Sequence, residues 1–287
     1  MEELNRAIKH DTKWAVVLGP LRLIIPLVAT FILYRVVLKT SGIEILGLWA
    51  LIASLATYLS LTDIGFSELL TREIKGEIKF SLQSESYKNY HSAKLVYLIA
   101  FIVISTASVF LVLAAENSLY GSIGLSISIF LVCWGAFFQL NSKLGSAVLA
   151  AHQDFRFSQF ASSFTPLLTS GFGIIGAIIG YPIEGLAIGF FFNAFTLFNI
   201  LSWRIRYKHS YWYKYSPGSI KDESPFSRCR QMIPRGFHLY TMSIGSLIRE
   251  PTFRIIISFA LGLDAVGVYA IAARASNCLL YTSPSPR

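Results

Sequence analysis

LGLWALIASLATYLSL, residues 46–61, contains no charged side chain, and the following TDIGF, residues 62–66, turns polar at Asp63 and reaches a glycine two residues later. A helix rises about 1.5 Å per residue, so about 20 apolar residues cross a bilayer. Glycine ends helices readily. The stretch therefore predicts a membrane span, residues 45–61, that ends near Asp63. The charged residues 67–79 that follow predict a short helix in the headgroup layer.

The composition of the whole chain agrees with a membrane protein. Of its 287 residues, 54% are hydrophobic and 14% are charged, and the mean hydropathy is +0.55. A soluble domain has about 25% charged residues, so this chain lacks the polar surface of a soluble fold. The net charge of +9 would suggest nucleic acid in a soluble protein. Here the position of the charges excludes that partner.

Seven further apolar segments of the chain are predicted to span the membrane. They cover residues 14–38, 95–115, 123–140, 160–180, 185–203 and 235–261, and one that begins near 266. Each is long and apolar enough for a helical span. We therefore predict an all-α polytopic membrane protein with one six-helix lobe and the first one to two helices of a second.

Lysine and arginine fall almost entirely on alternate connections, counted from the N-terminus. On one side of the membrane, Lys39 is the only lysine or arginine that falls clearly within a connection. The other holds 18, at positions 6, 9, 13, 72, 75, 79, 88, 94, 143, 156, 204, 206, 208, 214, 221, 228, 230 and 235. Because positively charged loops stay in the cytoplasm, we predict that the N-terminus is cytoplasmic. Such loops lie against anionic lipid headgroups, so membrane lipids are expected partners.

Two segments carry a family resemblance. The stretch LGLWALIASLATYLSLTDIGFSELLTR, residues 46–72, resembles the second-helix signature of bacterial polysaccharide flippases, in the multidrug/oligosaccharidyl-lipid/polysaccharide exporter superfamily. LGLDAVGVYAIAAR, residues 261–274, is similar to the start of their eighth helix. The resemblance implies two six-helix lobes around a central cavity and movement of a lipid-linked sugar across the bacterial cytoplasmic membrane. We expect no cofactor and no enzymatic activity.

The same reasoning divides the chain into four parts. Residues 1–203 form the six-helix N-terminal lobe, 204–234 a basic cytoplasmic loop, and 235–277 the start of the C-terminal lobe. CLLYTSPSPR, residues 278–287, is similar to the translation of a transposase adapter used in sequencing libraries. We expect this tail to be non-native and the rest of the second lobe to be missing. The alternative is a natural soluble tail.

Charged residues inside the predicted spans are the candidate site. Arg22 lies in the first, and Arg249, Glu250 and Arg254 lie in the seventh. An arginine at mid-membrane costs about 2.5–3.5 kcal/mol on insertion scales, so these side chains should face protein or water. Glu250 and Arg254 are four residues apart and can pair along one helix face.

Two interpretations of these charges stay open. In the first, they form structural ion pairs or snorkel to an interface. In the second, Arg22, Arg249 and Arg254 line a cationic cavity, which in flippases of the resembling family would hold the diphosphate of a polyprenyl-linked oligosaccharide. The planar guanidinium suits this role because it binds phosphate oxygens in pairs. Glu250 and Asp63 are candidates for gating or coupling, although Asp63 also suits a helix-end turn.

Other motifs carry little chemistry. GFGIIG, residues 171–176, matches the dinucleotide-binding fingerprint, but no strand precedes it and it lies within an apolar span. Gly176 and Gly180 are instead predicted to let helices pack closely. The five histidines have no metal-site spacing, so no metal is expected.

We therefore predict a transporter that flips lipid-linked oligosaccharide by alternating access. The glycan polymerase and glycosyltransferases of the same pathway could be partners. One alternative is a drug or cation exporter of the same superfamily, which would favour an acidic cavity. Another is a membrane enzyme that polymerises or ligates lipid-linked glycans. Such an enzyme would need a long outer loop, and the predicted outer connections are short.

Overall fold

The computed structural model describes residues 24–63, 65–80, 84–114, 122–209 and 225–282. Within these ranges the chain is helical and contains no strand. The helices are α1 (Ile24–Ser41), α2 (Ile43–Ser60), α3 (Phe66–Phe80), α4 (Ser84–Ala114), α5 (Ser122–Ala151), α6 (Phe155–Phe164), α7 (Pro166–Ile179), α8 (Pro182–Lys208), α9 (Pro225–Leu261) and α10 (Leu263–Thr282). The predicted all-α class is confirmed.

Five stretches of the described chain are long and apolar enough to cross a membrane. They are Ile24–Ser41, Ile43–Gly76, Gly124–Ala151, Arg156–Ile179 and Pro182–Lys208. Large apolar side chains such as Ile178, Ile179 and Phe259 point outward. Outward apolar surface on this scale suits a lipid environment. The chain is thus a multi-pass membrane protein, as predicted. Helix α4 covers the predicted third span as far as Ala114 and is not among these five stretches.

The described helices enclose three clusters of buried side chains, of which two are large. One cluster joins α3 to α4, α5, α8 and α9, and includes Tyr97, Leu144 and Met232. The other joins α1 and α2 to α4, α5, α7 and α8, and includes Trp49 and Leu186. The apolar face of α3, formed by Phe66, Leu69, Leu70 and Ile74, therefore packs against protein.

The predicted fifth span, residues 160–180, is two helices. Helix α6 ends at Phe164, α7 begins at Pro166, and Thr165 between them keeps helical torsion angles. Proline has no N–H to donate to the carbonyl four residues earlier and crowds that carbonyl. The break therefore follows from Pro166 in the sequence.

Helices α7 and α8 form a hairpin with backbone-to-backbone contact. A Cβ added at Gly185 would lie 2.7 Å from both Gly176 Cα and Phe172 O. Gly180 has a different role, because it ends α7 in the left-handed conformation with φ 94° and a Cβ there would meet nothing within 4 Å. The GFGIIG motif thus lies within a packed helix, as the apolar context predicts.

This contact gives the first testable prediction. Gly185→Ala places a methyl group against backbone that cannot rotate away, and overpacking of this kind costs about 1–3 kcal/mol. We expect a lower temperature of thermal unfolding in detergent. Gly171→Ala in the same hairpin is the matched control, because a Cβ there meets nothing within 4 Å. Equal unfolding temperatures for the two variants would contradict the close contact.

Helix α2 also packs against α10 and α9. A Cβ at Gly47 would lie 2.0 Å from Leu263 O, and one at Gly267 would lie 2.6 Å from Ile43 O. Val266 and Ala270 of α10 are buried against Ala50. Helix α9 begins at Pro225, so helix extends into the range that the sequence assigned to the basic loop 204–234. Residues 210–224 and 283–287 lie outside the described chain.

Candidate functional site

Arg254 and Glu250 form an ion pair on α9. Arg254 Nη2 donates to Glu250 Oε1, at the four-residue spacing from which the pair was predicted. The two side chains differ in exposure, which is 16% for Arg254 and 40% for Glu250. The arginine is therefore the buried member of the pair.

Helix α2 supplies the other surroundings of Arg254. Its Nη1 lies 3.5 Å from Ala50 O and 3.5 Å from Ser54 Oγ. Ser54 is buried and donates to Ala50 O at 2.8 Å. The Nε of Arg254 is buried and has no hydrogen-bond partner among the described residues. The guanidinium therefore lies in the seam between α2 and α9, and its Nε–H has no acceptor among the described residues.

Polar contact continues along this seam. The hydroxyl groups of Tyr58 on α2 and Thr252 on α9 are 3.2 Å apart. Serine, threonine and tyrosine hydroxyls that bond across packed helices hold them at a fixed register. The seam thus positions Arg254 from both sides, and sequence reasoning did not find the α2 contribution because residues about 200 positions apart make it.

The structure places Arg249 apart from the Arg254–Glu250 pair. Arg249 is exposed and makes no ion pair within the described chain. It is five residues from Arg254, which turns a helix by about 140°, so the two arginines lie on different faces of α9. Its exposed neighbours are Phe253 and Ile256. Arg22 lies outside the described residues.

Asp63 is buried where the bundle turns from α2 into α3. Its carboxylate accepts hydrogen bonds from Ser67 N at 3.2 Å, from Ser67 Oγ at 2.7 Å and from the hydroxyl of Tyr97. Lys143 Nζ on α5 lies 3.8 Å away. Asp63 therefore ties the first turn of α3 to α4 and α5, a geometry that favours a turn residue with a structural role.

Sequence reasoning missed a second polar cluster, at the ends of α5 and α8. Arg204 Nε donates to Asp154 Oδ2 at 2.9 Å, and Lys208 Nζ lies 3.3 Å from the same oxygen. The rings of His152 and His209 stack with centroids 4.4 Å apart. Only the spacing of Arg204 and Lys208 on one helix face was visible in the sequence.

The surroundings shift the pKa values of this cluster. Burial, reinforced by His209, lowers the pKa of His152 to about 4. Burial also lowers the pKa of His209, although the carboxylate of Asp154 opposes the shift. Burial acts to raise the pKa of Asp154, but its hydrogen bonds to Arg204 and Lys208 outweigh it, and the pKa is lowered. The cluster therefore holds neutral histidines beside a paired carboxylate.

A pH dependence of stability follows. Histidine titrates near pH 6.5 in an unfolded chain, so between pH 6.5 and about 4 the unfolded state binds more protons than the folded state. Stability must then fall as the pH drops through this range. We expect the unfolding temperature in detergent to be about 2–4 °C lower at pH 5 than at pH 7.5.

The matched variant for this prediction is His152→Phe. It keeps an aromatic ring against His209 and removes one titrating group, so the difference between pH 7.5 and pH 5 should shrink. Asp154 contributes little to the slope, since its lowered pKa keeps it charged across this range. An unchanged pH profile in the variant would argue against His152 as the source.

Comparison with known proteins supports the fold. No family model and no curated protein matches the chain. A similar solved structure is the inward-facing conformation of a multidrug resistance MATE family transporter of the MOP superfamily. The TM-score is 0.53 at 15% identity, and the match covers 88% of this chain and 60% of that one. The chain therefore corresponds to less than two thirds of that structure's length.

The fold thus defines the class. The chain is a multi-pass α-helical membrane protein, and its helices are arranged as in part of a transporter of the MOP superfamily. The likeness concerns the fold, because sequence identity of 15% is too low to carry substrate or mechanism from one protein to the other.

Proposed function

We propose that this chain belongs to a transporter that flips polyprenyl-diphosphate-linked oligosaccharide from the cytoplasmic to the outer leaflet by alternating access. The division predicted from the sequence is part of the proposal, with residues 1–203 as the first lobe, 204–234 as the connection and 235–277 as the start of the second. The membrane is the bacterial cytoplasmic membrane, and the N-terminus faces the cytoplasm. Similarity of fold to a transporter supports the proposal.

The observation that carries the proposal is the position of Arg254. A guanidinium that is mostly buried between two packed helices, here α2 and α9, is costly unless it has partners. Glu250 accepts a hydrogen bond from one of its N–H groups, whereas the buried Nε–H has no acceptor within the described chain. Paired N–H groups of arginine match the oxygens of a phosphate. An anionic head group is therefore the ligand that this site suits.

The other predicted site residues in the described chain are Arg249, Glu250 and Asp63. Arg249 contributes a second positive charge from another face of α9, and a role in the same cavity requires the ligand to contact both faces. Glu250 is proposed for gating, because it already contacts Arg254. Asp63 is a second candidate for coupling, although the hydrogen bonds that it accepts from Ser67 also suit a structural role between α2 and α3.

A second candidate function is export of drugs or other cations. The similar solved structure is that of a multidrug resistance transporter, which favours this alternative. The geometry of Arg254 opposes it, because the arginine is the buried member of its pair and its Nε–H group has no acceptor within the described chain. A cationic drug would be repelled at this site, whereas an anion would be attracted.

Transport by the intact gene product in proteoliposomes tests the proposal. One set of vesicles carries a fluorescent polyprenyl-diphosphate oligosaccharide and a second set a fluorescent cationic drug. We expect the lipid-linked sugar to reach the opposite leaflet and the drug to stay in place. Movement of the drug alone would select the exporter alternative. Lengthening of the glycan would indicate the polymerising enzyme.

A further inference from the structure

We propose that Glu250 is an exchangeable counter-ion, which holds Arg254 when the site is empty and is displaced by the phosphate of the substrate. This inference rests on the proposed function, because it concerns the same anion-binding arginine. It adds that the protein carries its own competitor for the ligand.

Arg254 is less exposed than Glu250 and has more contacts with the protein. Arg254 is 16% exposed and also lies beside Ala50 O and Ser54 Oγ of α2. Glu250 is 40% exposed, and its described polar contact is the one with Arg254. Rotation of the Glu250 side chain therefore breaks one interaction, whereas rotation of Arg254 breaks the interactions with two helices. The carboxylate is the member that moves.

The donors of Arg254 show what the incoming group gains. Nε–H and the Nη2 group lie along one edge of a guanidinium, and this edge can bind two oxygens of one anion. Here a single carboxylate oxygen of Glu250 accepts a hydrogen bond from Nη2, and Nε has no partner in the described chain. Nε is buried while Glu250 is in place, so a phosphate would bind both donors with two oxygens only after the Glu250 side chain has turned away. The phosphate would therefore replace Glu250 with one additional charge-assisted hydrogen bond.

Competition of this kind also helps release. A site made only of arginine would hold a diphosphate tightly and slow the transport cycle. Glu250 is four residues from Arg254 on the same helix face, so it stays within reach of the guanidinium when the ligand is bound. Its return to Arg254 lowers the cost of losing the phosphate.

Binding of geranylgeranyl diphosphate, a short polyprenyl diphosphate, to the protein in nanodiscs tests this inference. Glu250→Gln removes the competing charge while it keeps the length of the side chain. We expect it to bind the probe about tenfold more tightly than the wild type, a change that corresponds to about 1.4 kcal/mol, and to transport more slowly. Glu44→Gln, on an exposed glutamate of α2, is the matched control and should change neither quantity.

Arg254→Lys completes the set, because lysine keeps the charge but lacks the edge with two donors. We expect it to bind the probe about tenfold more weakly. If Glu250→Gln does not fold, Glu250→Asp serves instead, since its shorter side chain weakens the pair and should also tighten binding. Equal or weaker binding by the folded glutamate variant, with wild-type binding intact, overturns the inference alone. Failure of the wild type to bind the probe overturns the proposed function as well.

Discussion

Replacing Arg254 with glutamine should lower transport of the lipid-linked sugar by at least about tenfold while the protein still folds. Loss of one charged partner from a buried contact costs about 2–5 kcal/mol of binding, and each 1.4 kcal/mol is a factor of ten. Folding should survive, because Glu250 is 40% exposed and can turn to solvent once its partner is gone. The measurement is initial rate of transport in proteoliposomes at matched protein level.

Arg35→Gln is the matched control for this variant. Arg35 is an exposed arginine of α1, so the same chemical change there should leave the rate within about twofold of the wild type, as expected for a surface substitution. A normal rate for a stable Arg254→Gln protein would remove Arg254 from the site. The double variant with Arg249→Ala then shows whether Arg249 serves instead.

Replacing Asp63 with alanine should destabilise the protein strongly. The change removes the carboxylate that accepts from the buried hydroxyl of Tyr97 and from the N–H of Ser67, and that lies 3.8 Å from Lys143 Nζ. Loss of a buried charged acceptor with several donors costs about 3 kcal/mol. We expect the unfolding temperature in detergent to fall by about 6–10 °C.

Asp264→Ala provides the comparison for Asp63. Asp264 is an exposed acidic residue in the first turn of α10, so its removal should shift the unfolding temperature by about 1 °C or less. A stable Asp63→Ala protein that has lost transport would instead favour the gating or coupling role. The unfolding temperature and the transport rate together therefore distinguish a structural role of Asp63 from a role in gating or coupling.

Local spacing was enough to predict the contacts within one helix. The Glu250–Arg254 pair follows from a separation of four residues, and the structure contains it. The same rule separates Arg249 from Arg254, because a helix turns about 100° per residue. Grouping both arginines in one cavity relied on the resemblance and not on helix geometry.

Contacts between distant segments were beyond the sequence. Asp154 meets Arg204 across 50 positions, and Arg254 meets Ala50 across 204. No periodicity links such pairs, since their approach depends on how complete helices pack.

The role of Gly180 was also not predictable from the sequence. The sequence marked it as a packing residue, whereas it ends α7 with φ 94° and Gly176 contacts Gly185 instead.

The sequence by itself determined that this chain is a helical, multi-pass membrane protein, because uncharged runs of about 20 residues are stable only where water is absent and their backbone bonds internally. Only the tertiary structure decided which polar groups meet. It placed Arg254 between α2 and α9 and buried Asp63 beside Tyr97. The reason is that lipid selects helices by composition alone, whereas contacts between helices depend on the shape and rotation of each packed face.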